Sequence, residues 1–189
     1  NSTEIKGLVI TSAKKTGFIA GADITQFGGL TTEEEAFDLI RQAQVVLDKL
    51  EALPIPTLAL INGFCLGGGY ELALACRYRI ALDDPRTKIG LPEVKLGIHP
   101  GWGGTVRLPP LVGAINAMQI MLPGAAVSAR RAKKMGMIDA VVSERELLRA
   151  ARSYLLKRPP VQRPGLMARL TNNALVRPLL GKVFYRQLN

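Results

Sequence analysis

Short apolar runs alternate with longer amphipathic segments along most of this chain. Four of the runs are three to five residues long, which is the usual length of a buried β-strand. We therefore predict buried strands at residues 7–11, 57–61 and 78–82, and a brief strand at 140–142.

The first amphipathic segment carries signals for both ends of a helix. Thr31 and Glu34 have the spacing of a capping box, and the apolar residues that follow recur every three or four positions. Pro54 and Pro56 predict the end of this helix.

Further helices are predicted along the rest of the chain. A glycine triplet at residues 67–69 opens one of them. The others are expected at 114–122, at 128–135 between an N-cap at Ser128 and a stop at Gly136, and from a capping box at Ser143 and Glu146 to about 156. Because strands and helices alternate, we predict an α/β fold with a mostly parallel sheet covered by helices.

Composition narrows the class of protein. A chain of 189 residues with 48% hydrophobic residues can bury the core of one domain. No apolar run reaches the roughly 18 residues of a membrane-spanning helix, and the first residues show no signal-peptide pattern. With only Cys65, Cys76 and a single histidine, neither a disulfide framework nor a metal site is predicted, and a reducing cytoplasm is the expected location.

The net charge of +10 is concentrated at one end of the chain. Residues 145–189 contain ten lysines and arginines and one acidic residue, Glu146, so this segment carries +9 of the total. A basic segment can bind nucleic acid. Here, however, apolar residues are interleaved with the charges, which favours helices that pack an apolar face while long basic side chains extend into solvent. We therefore do not predict nucleic-acid binding.

The candidate chemistry lies around the glycine triplet. Glu71 falls in the first turn of the predicted helix, and Glu93 follows Pro92 on a connecting segment. Free N–H groups at the start of a helix can stabilise a developing negative charge. Two nearby carboxylates can move protons around that charge. The pattern predicts acid–base chemistry next to a carbonyl group.

Three sequence blocks, in this order, resemble the crotonase (enoyl-CoA hydratase/isomerase) superfamily. They are FIAGADI at residues 18–24, NGFCLGGGYE at 62–71 and GLPEVKLGIHPGWGGTVRLP at 90–109. The resemblance covers nearly the whole chain. It implies a crotonase fold, a superhelix of ββα units of the ClpP/crotonase type with helices at its C-terminal end.

The resemblance also implies roles for individual residues. The backbone N–H groups of Ala22 and Gly68 match an oxyanion hole that binds the thioester oxygen of an acyl-CoA. The resemblance also explains the glycine at position 68, because the close approach of the thioester leaves no room for a Cβ. Glu71 matches the carboxylate that activates water for attack at C3, and Glu93 matches the one that exchanges a proton with C2. The residues expected to contact the substrate or CoA are Ala20, Asp23, Ile24, Gly67 and Pro92.

Each of these residues also has a simpler interpretation. The glycine triplet could have a purely structural role, in which it allows a helix to pack tightly on a strand. Asp23 could likewise serve only to stabilise its loop. Glu71 or Glu93 alone could be a solvated acid, although their joint presence inside matched blocks favours catalysis. For His99 a structural role is favoured. Trp102 and Cys65 are expected to be packing residues, Trp102 in the core or at a subunit interface.

The presence of both glutamates favours hydration of a trans-2-enoyl-CoA in fatty-acid β-oxidation. The alternatives are an enoyl-CoA isomerase or acyl-CoA hydrolase of the same superfamily, or a non-catalytic binding module. No cofactor is expected in this domain, and the expected partners are the acyl-CoA substrate and either further copies of the chain or a thiolase subunit.

The resemblance further implies a domain organisation. Residues 1–156 would form the hydratase/isomerase core without its N-terminal hairpin and helix. Residues 157–189 resemble the linker of multifunctional fatty-acid oxidation proteins, which leads to an NAD-dependent 3-hydroxyacyl-CoA dehydrogenase domain. On this interpretation the chain is truncated at both ends.

Overall fold

Eight short strands form two four-stranded sheets in the computed structural model, which describes residues 5–14, 17–23, 29, 31–161, 164–173, 176, 178, 181–182 and 185. The first sheet has the order β1-β3-β5-β8 and is parallel throughout, with strands at Leu8–Ile10, Thr57–Ile61, Tyr78–Leu82 and Ala140–Val142. The second has the order β2-β4-β6-β7, with strands at Gly17–Ile19, Phe64–Leu66, Lys88–Gly90 and Ala126–Ser128. Only its β6–β7 pair is antiparallel, so the expectation of mostly parallel pairing is confirmed.

The chain places one strand in each sheet before it forms a helix. β1 and β2 precede α1 (Glu33–Glu51), and β3 and β4 precede α2 (Gly68–Ala75). β5 and β6 are followed by a 3₁₀ helix (Glu93–Leu96) and then α3 (Gly104–Val112). This repeated succession is the ββα superhelix that the resemblance implies. The remaining helices are α4 (Ala114–Met121), α5 (Ala129–Met135), α6 (Leu147–Lys157), which follows a 3₁₀ turn at Glu144–Glu146, and α7 (Leu166–Thr171).

The central strands β3 and β5 are buried along their full length, as predicted from their apolar runs. Successive side chains of a strand point to opposite faces of the sheet. Leu58 and Tyr78 accordingly pack on the side of α6, whereas Ala59 and Ala81 join the larger core cluster. The two faces of this sheet therefore serve two separate hydrophobic clusters.

The prediction of a buried strand at residues 7–11 is only partly correct. A strand forms there, but Leu8 and Val9 each remain 36% exposed. β1 is the terminal strand of its sheet, and β3 is its only partner among the described strands. An apolar run can show that a strand forms but not whether neighbours cover both of its faces.

The capping box of α1 lies one residue later than predicted. The hydroxyl of Thr32, not Thr31, accepts the N–H of Glu35 at 3.2 Å, and Glu35 Oε2 accepts the backbone N–H groups of Thr31 and Thr32. The error arises because two threonines precede three glutamates, so the sequence offers two frames with the same spacing. The predicted caps of α5 at Ser128 and Gly136 are confirmed.

Helix α3 was not predicted, because it contains Pro109 and Pro110. Proline inside a helix removes one N–H donor and usually breaks the helix. Here α3 ends two residues after this pair, and Gly113, with φ of 87°, turns the chain into α4. The strands β2, β4, β6 and β7, each of three residues, were not predicted either.

Only part of the basic segment after residue 157 is described. In α7, Leu166 and Leu170 are 73% and 51% exposed, so their apolar faces are not covered by the described part of the chain. No helix within the described ranges has the length and apolar character needed to cross a membrane.

Candidate functional site

Glu71 is held in a buried position by the loop that precedes α3. It lies in the first turn of α2, and its Oε1 accepts the backbone N–H groups of Trp102 and Gly104, each at 2.8 Å. Burial raises the pKa of this carboxyl above the ordinary glutamate value, while the two hydrogen bonds and the charge of Arg107 act in the opposite direction. The simpler interpretation of Glu71 as a solvated acid is therefore wrong.

Glu93 is buried without such support. It begins the 3₁₀ helix that follows Pro92, and neither of its carboxylate oxygens has a hydrogen-bond partner among the described residues. Burial is the main cause that raises its pKa to about 7, and the negative charge of Glu71 adds to the effect. Perturbed carboxyl groups of this kind are concentrated at functional sites. Glu93 is thus not the exposed loop acid of the simpler interpretation.

Gly67 joins the two parts of the site. Its φ of 55° lies in the left-handed region, which favours glycine, and it precedes α2 as the N-cap residue. A Cβ at this position would lie 3.1 Å from Glu93 Oε1 and 3.6 Å from the Cα of Gly21. The loop after β2, the start of α2 and Glu93 therefore meet at Gly67.

The structure shows a packing constraint at position 68. A Cβ on Gly68 would overlap the indole ring of Trp102, so the protein's own packing requires glycine there, and the expected close approach of a thioester stays a prediction. A Cβ on Gly69 would overlap the backbone oxygen of Ile19 in β2. At least for Gly69, the interpretation as tight helix–strand packing is confirmed.

The N–H groups proposed for the oxyanion hole lie on the two segments that meet at Gly67. Gly68 is the first residue of α2, and within the described part of the chain no side chain caps this helix start. Ala22 is half-buried and follows Gly21, whose φ is 120°. Their function as an oxyanion hole stays a prediction.

Of the other four residues predicted to contact the substrate or CoA, the structure describes three. Ala20 and Asp23 are exposed, and Pro92 is half-buried at the start of the 3₁₀ helix. Ile24 lies outside the described residues. Their roles in binding substrate or CoA also stay predictions.

Three other residues were assigned structural roles. Cys65 is fully buried in the main core cluster, as its packing interpretation predicts. His99 is exposed, and its ring Nδ1 lies 3.3 Å from the oxygen of Pro100. Trp102 is half-buried and packs against the start of α2, which places it at the candidate site.

The sequence did not reveal the residues that hold Glu71. The donors are backbone N–H groups, which carry no side-chain signature. The sequence feature that could have indicated this loop is the Gly103–Gly104 pair, which Arg107 follows one helical turn later. That arginine donates to the backbone oxygen of Trp102 at 3.0 Å.

A cavity of about 860 Å³ lies on another side of the Trp102 loop. Its lining includes Trp102, Arg107 and the end of α2, but neither Glu71 nor Glu93. The two glutamates therefore do not line this cavity. Within the described ranges, no cluster of three or more His, Cys, Asp or Glu side chains could hold a metal ion.

Comparisons with known proteins identify the family and the fold of the chain. The family model described as enoyl-CoA hydratase/isomerase matches residues 1–178. An enoyl-CoA hydratase from Bacillus anthracis is 38% identical, with a TM-score of 0.74 over 80% of this chain and 57% of that one. DspI from Pseudomonas aeruginosa is 34% identical in one structure, with a TM-score of 0.76 over 82% of this chain and 58% of that one. A second DspI structure, at 29% identity and a TM-score of 0.75, covers 98% of this chain and 77% of that one.

Against the first and second of these structures, the chain spans less than three fifths of the relative's length. The match to the family model nevertheless covers all but the last eleven of its 189 residues. The crotonase fold and the family are both established by these matches, and the chain belongs to the enoyl-CoA hydratase/isomerase family.

Proposed function

We propose that this chain carries the acid–base centre of an enoyl-CoA hydratase, which adds water across the double bond of a trans-2-enoyl-CoA in fatty-acid β-oxidation. The observation that supports it most directly is a pair of buried, electrostatically coupled carboxylates. One of them is anchored by backbone N–H groups, and the other has no partner among the described side chains and backbone groups.

In the proposed reaction the thioester oxygen accepts hydrogen bonds from the N–H groups of Ala22 and Gly68. One well-placed donor of this type is worth roughly 3–4 kcal/mol in the transition state. Ionised Glu71 removes a proton from water, whose oxygen bonds to C3. The electron pair of the double bond moves to give the enolate, and protonated Glu93 then gives its proton to C2, which leaves a 3-hydroxyacyl-CoA.

The environments of the two carboxyl groups support this division of roles. Burial raises the pKa of Glu71, but the hydrogen bonds from Gly104 and Trp102 oppose this effect and stabilise the charged form that a base requires. A pKa of about 7 keeps a substantial fraction of Glu93 protonated near neutrality, as an acid requires. The reaction is redox-neutral, so we propose no cofactor for this domain.

The same site could serve an isomerase, which moves a proton and needs mainly Glu93, or an acyl-CoA hydrolase. The anchored position of Glu71 favours hydration over isomerisation, because a second fixed base has no role in a simple proton shift. The presence of Glu93 favours hydration over thioester hydrolysis, because hydrolysis needs no proton donor at C2. A non-catalytic module would have no need of two buried carboxylates, since each costs free energy to desolvate.

The test is the decay of the ultraviolet band of the enoyl thioester when crotonyl-CoA is mixed with the complete protein. We expect decay in the wild type and loss of it in Glu71→Gln and Glu93→Gln. Asp38→Asn, on the exposed face of α1, is the control and should retain full activity. Hydration that persists in both glutamate variants would refute the proposed site.

We further propose that the complete protein couples this reaction to a 3-hydroxyacyl-CoA dehydrogenase in the cytoplasm. The support is the resemblance of the segment from residue 157 onward to the linker of multifunctional oxidation proteins. The same proposal includes either self-association or binding of a thiolase subunit. Addition of enoyl-CoA and NAD to the complete protein should produce NADH absorbance. Hydration without NADH would leave a single-function hydratase.

A further inference from the structure

We infer that Arg107 is a positioning residue for Glu71. Its guanidinium fixes the loop whose N–H groups hold the Glu71 carboxylate, and it is itself anchored by two acidic residues of α1. The catalytic consequence of this arrangement rests on the proposed function, whereas its effect on the loop does not.

Each nitrogen of the Arg107 side chain donates to a different residue. Nε donates to Glu51 Oε2 at 2.8 Å, and Nη2 donates to Asp48 Oδ1 at 2.6 Å. Nη1 donates to the backbone oxygen of Trp102 at 3.0 Å. The rigid, planar fork of arginine can bind three acceptors in this way, whereas lysine has one nitrogen at the end of a flexible stem.

The Trp102 residue is thereby tied on both of its backbone polar groups. Its oxygen accepts from Arg107, and its N–H donates to Glu71 Oε1 at 2.8 Å. Two residues further on, the N–H of Gly104 donates to the same oxygen. Arg107 is therefore separated from the Glu71 carboxylate by a single residue of backbone.

The packing between the loop and the arginine is close. Gly103 has φ of 108°, and a Cβ at this position would overlap Nη1 of Arg107. A second attachment to α1 lies nearby, since Gln44 Nε2 donates to the oxygen of Gly101 at 2.7 Å. The loop is thus held against α1 at two points.

In these ion pairs the arginine is the buried member. The Arg107 side chain is only 11% exposed, whereas its partners Asp48 and Glu51 remain 60% and 56% exposed. Charge-assisted hydrogen bonds are among the stronger ones, and a partly desolvated arginine is screened less by salt. Loss of Arg107 would leave the oxygen of Trp102 without this donor.

The test uses the fact that Trp102 is the only tryptophan of the chain, so its fluorescence reports on the loop directly. We expect Arg107→Gln to shift the emission to longer wavelength and to increase quenching by acrylamide. In the hydration assay we expect kcat to fall about 10-fold with a smaller change in KM, since a misplaced base affects the chemical step. Arg107→Lys, which keeps the charge, should show nearly the same losses.

Two controls separate this role from a general effect of losing an arginine. Arg130→Gln breaks the ion pair of Arg130 with Asp83 at the start of α5 and should change neither readout. In a Glu71→Gln background, Arg107→Gln should lower the residual rate by less than about 2-fold, because it acts through Glu71. An additive loss in that background, an unchanged Trp102 emission, or full activity of Arg107→Lys would overturn the inference.

If Arg107→Gln does not fold, the combined variant Asp48→Asn/Glu51→Gln weakens the same anchor from α1 and is expected to give the same two changes. An unchanged emission and rate in that variant would also count against the inference. If the wild type does not hydrate crotonyl-CoA, the proposed function fails, and the fluorescence comparison still decides whether Arg107 holds the loop.

Discussion

Glu71 and Glu93 are two buried, coupled carboxylates that the protein holds in opposite ways. Glu71 accepts two backbone hydrogen bonds through one oxygen, whereas Glu93 has no partner for either oxygen among the described residues. The negative charge of Glu71 also helps to raise the pKa of Glu93. Carboxyl pairs whose environments separate their pKa values are suited to act as one base and one acid.

The first prediction concerns the pH dependence of catalysis. The proposed reaction needs one proton on the pair, so kcat/KM should fall as pH rises through about 7, where Glu93 loses its proton. Hydration consumes no net proton, so the dehydration direction must show the same limb. Rates measured in both directions from pH 6 to 9 would check this. A flat profile, or a limb in one direction only, would contradict the assignment.

The second prediction concerns stability. The pKa of Glu93 is raised from 4.5 to about 7 in the folded protein, so between these values the folded state binds more protons than the unfolded state. This contribution to stability is complete below about pH 4.5 and is lost as pH rises through 7. Glu93→Gln lacks it.

Relative to Glu93→Gln, the wild type should therefore lose about 1–2 kcal/mol of unfolding free energy between pH 5 and pH 8, after allowance for solvent screening. Urea unfolding at the two pH values measures the difference. The same comparison with Asp38→Asn, on the exposed face of α1, should show little change. If the wild type gains stability relative to Glu93→Gln over this range, ionisation of Glu93 does not destabilise the folded protein.

The third prediction concerns the division of roles between the glutamates. Glu71→Gln and Glu93→Gln should each lower the hydration rate at least ~10²-fold, the scale of a positioned acid or base. The double variant should lose less than the product of the single losses, because both groups act on one water and one substrate. Isomerisation of a 3-enoyl-CoA should survive Glu71→Gln better than Glu93→Gln. Equal loss of isomerisation in both variants would overturn this division of roles.

The fourth prediction concerns the two glycines that begin α2. The obstacle to a Cβ on Gly68 is the side chain of Trp102, whereas the obstacle on Gly69 is the backbone oxygen of Ile19. Gly68→Ala should therefore shift Trp102 emission with a modest loss of stability. Gly69→Ala should destabilise more strongly, since a backbone atom in β2 cannot move aside alone.

Urea denaturation of both variants measures this order. Gly165→Ala is the control, because a Cβ there meets no atom of the described residues within 4 Å. Gly68→Val should abolish turnover, as the resemblance predicts, but through displacement of Trp102. An unchanged Trp102 emission in an inactive Gly68→Val variant would support the original explanation by substrate clash.

Much of the fold could be read from the sequence because its central elements are locally encoded. The runs that became β3 and β5 are apolar except for Thr57 and Arg79, and the caps at Ser128 and Gly136 need only their own side chain or backbone freedom. The exposure of Leu8 and Val9 could not be read in this way, because it depends on which strands lie beside β1. Helix α3 was hidden by its two prolines.

The sequence by itself determined the α/β class and the glutamates at positions 71 and 93, since both rest on residue identity and spacing. Only the tertiary structure decided that both carboxylates are buried and coupled, because burial depends on the loops and helices that close over them. It also decided that backbone N–H groups of Trp102 and Gly104 hold Glu71, and that Arg107 reaches their loop from α3. Every residue except proline has the same backbone N–H donor, so no side-chain pattern in the sequence can indicate which of these donors hold Glu71. The direction of each N–H group is set only when distant segments pack together.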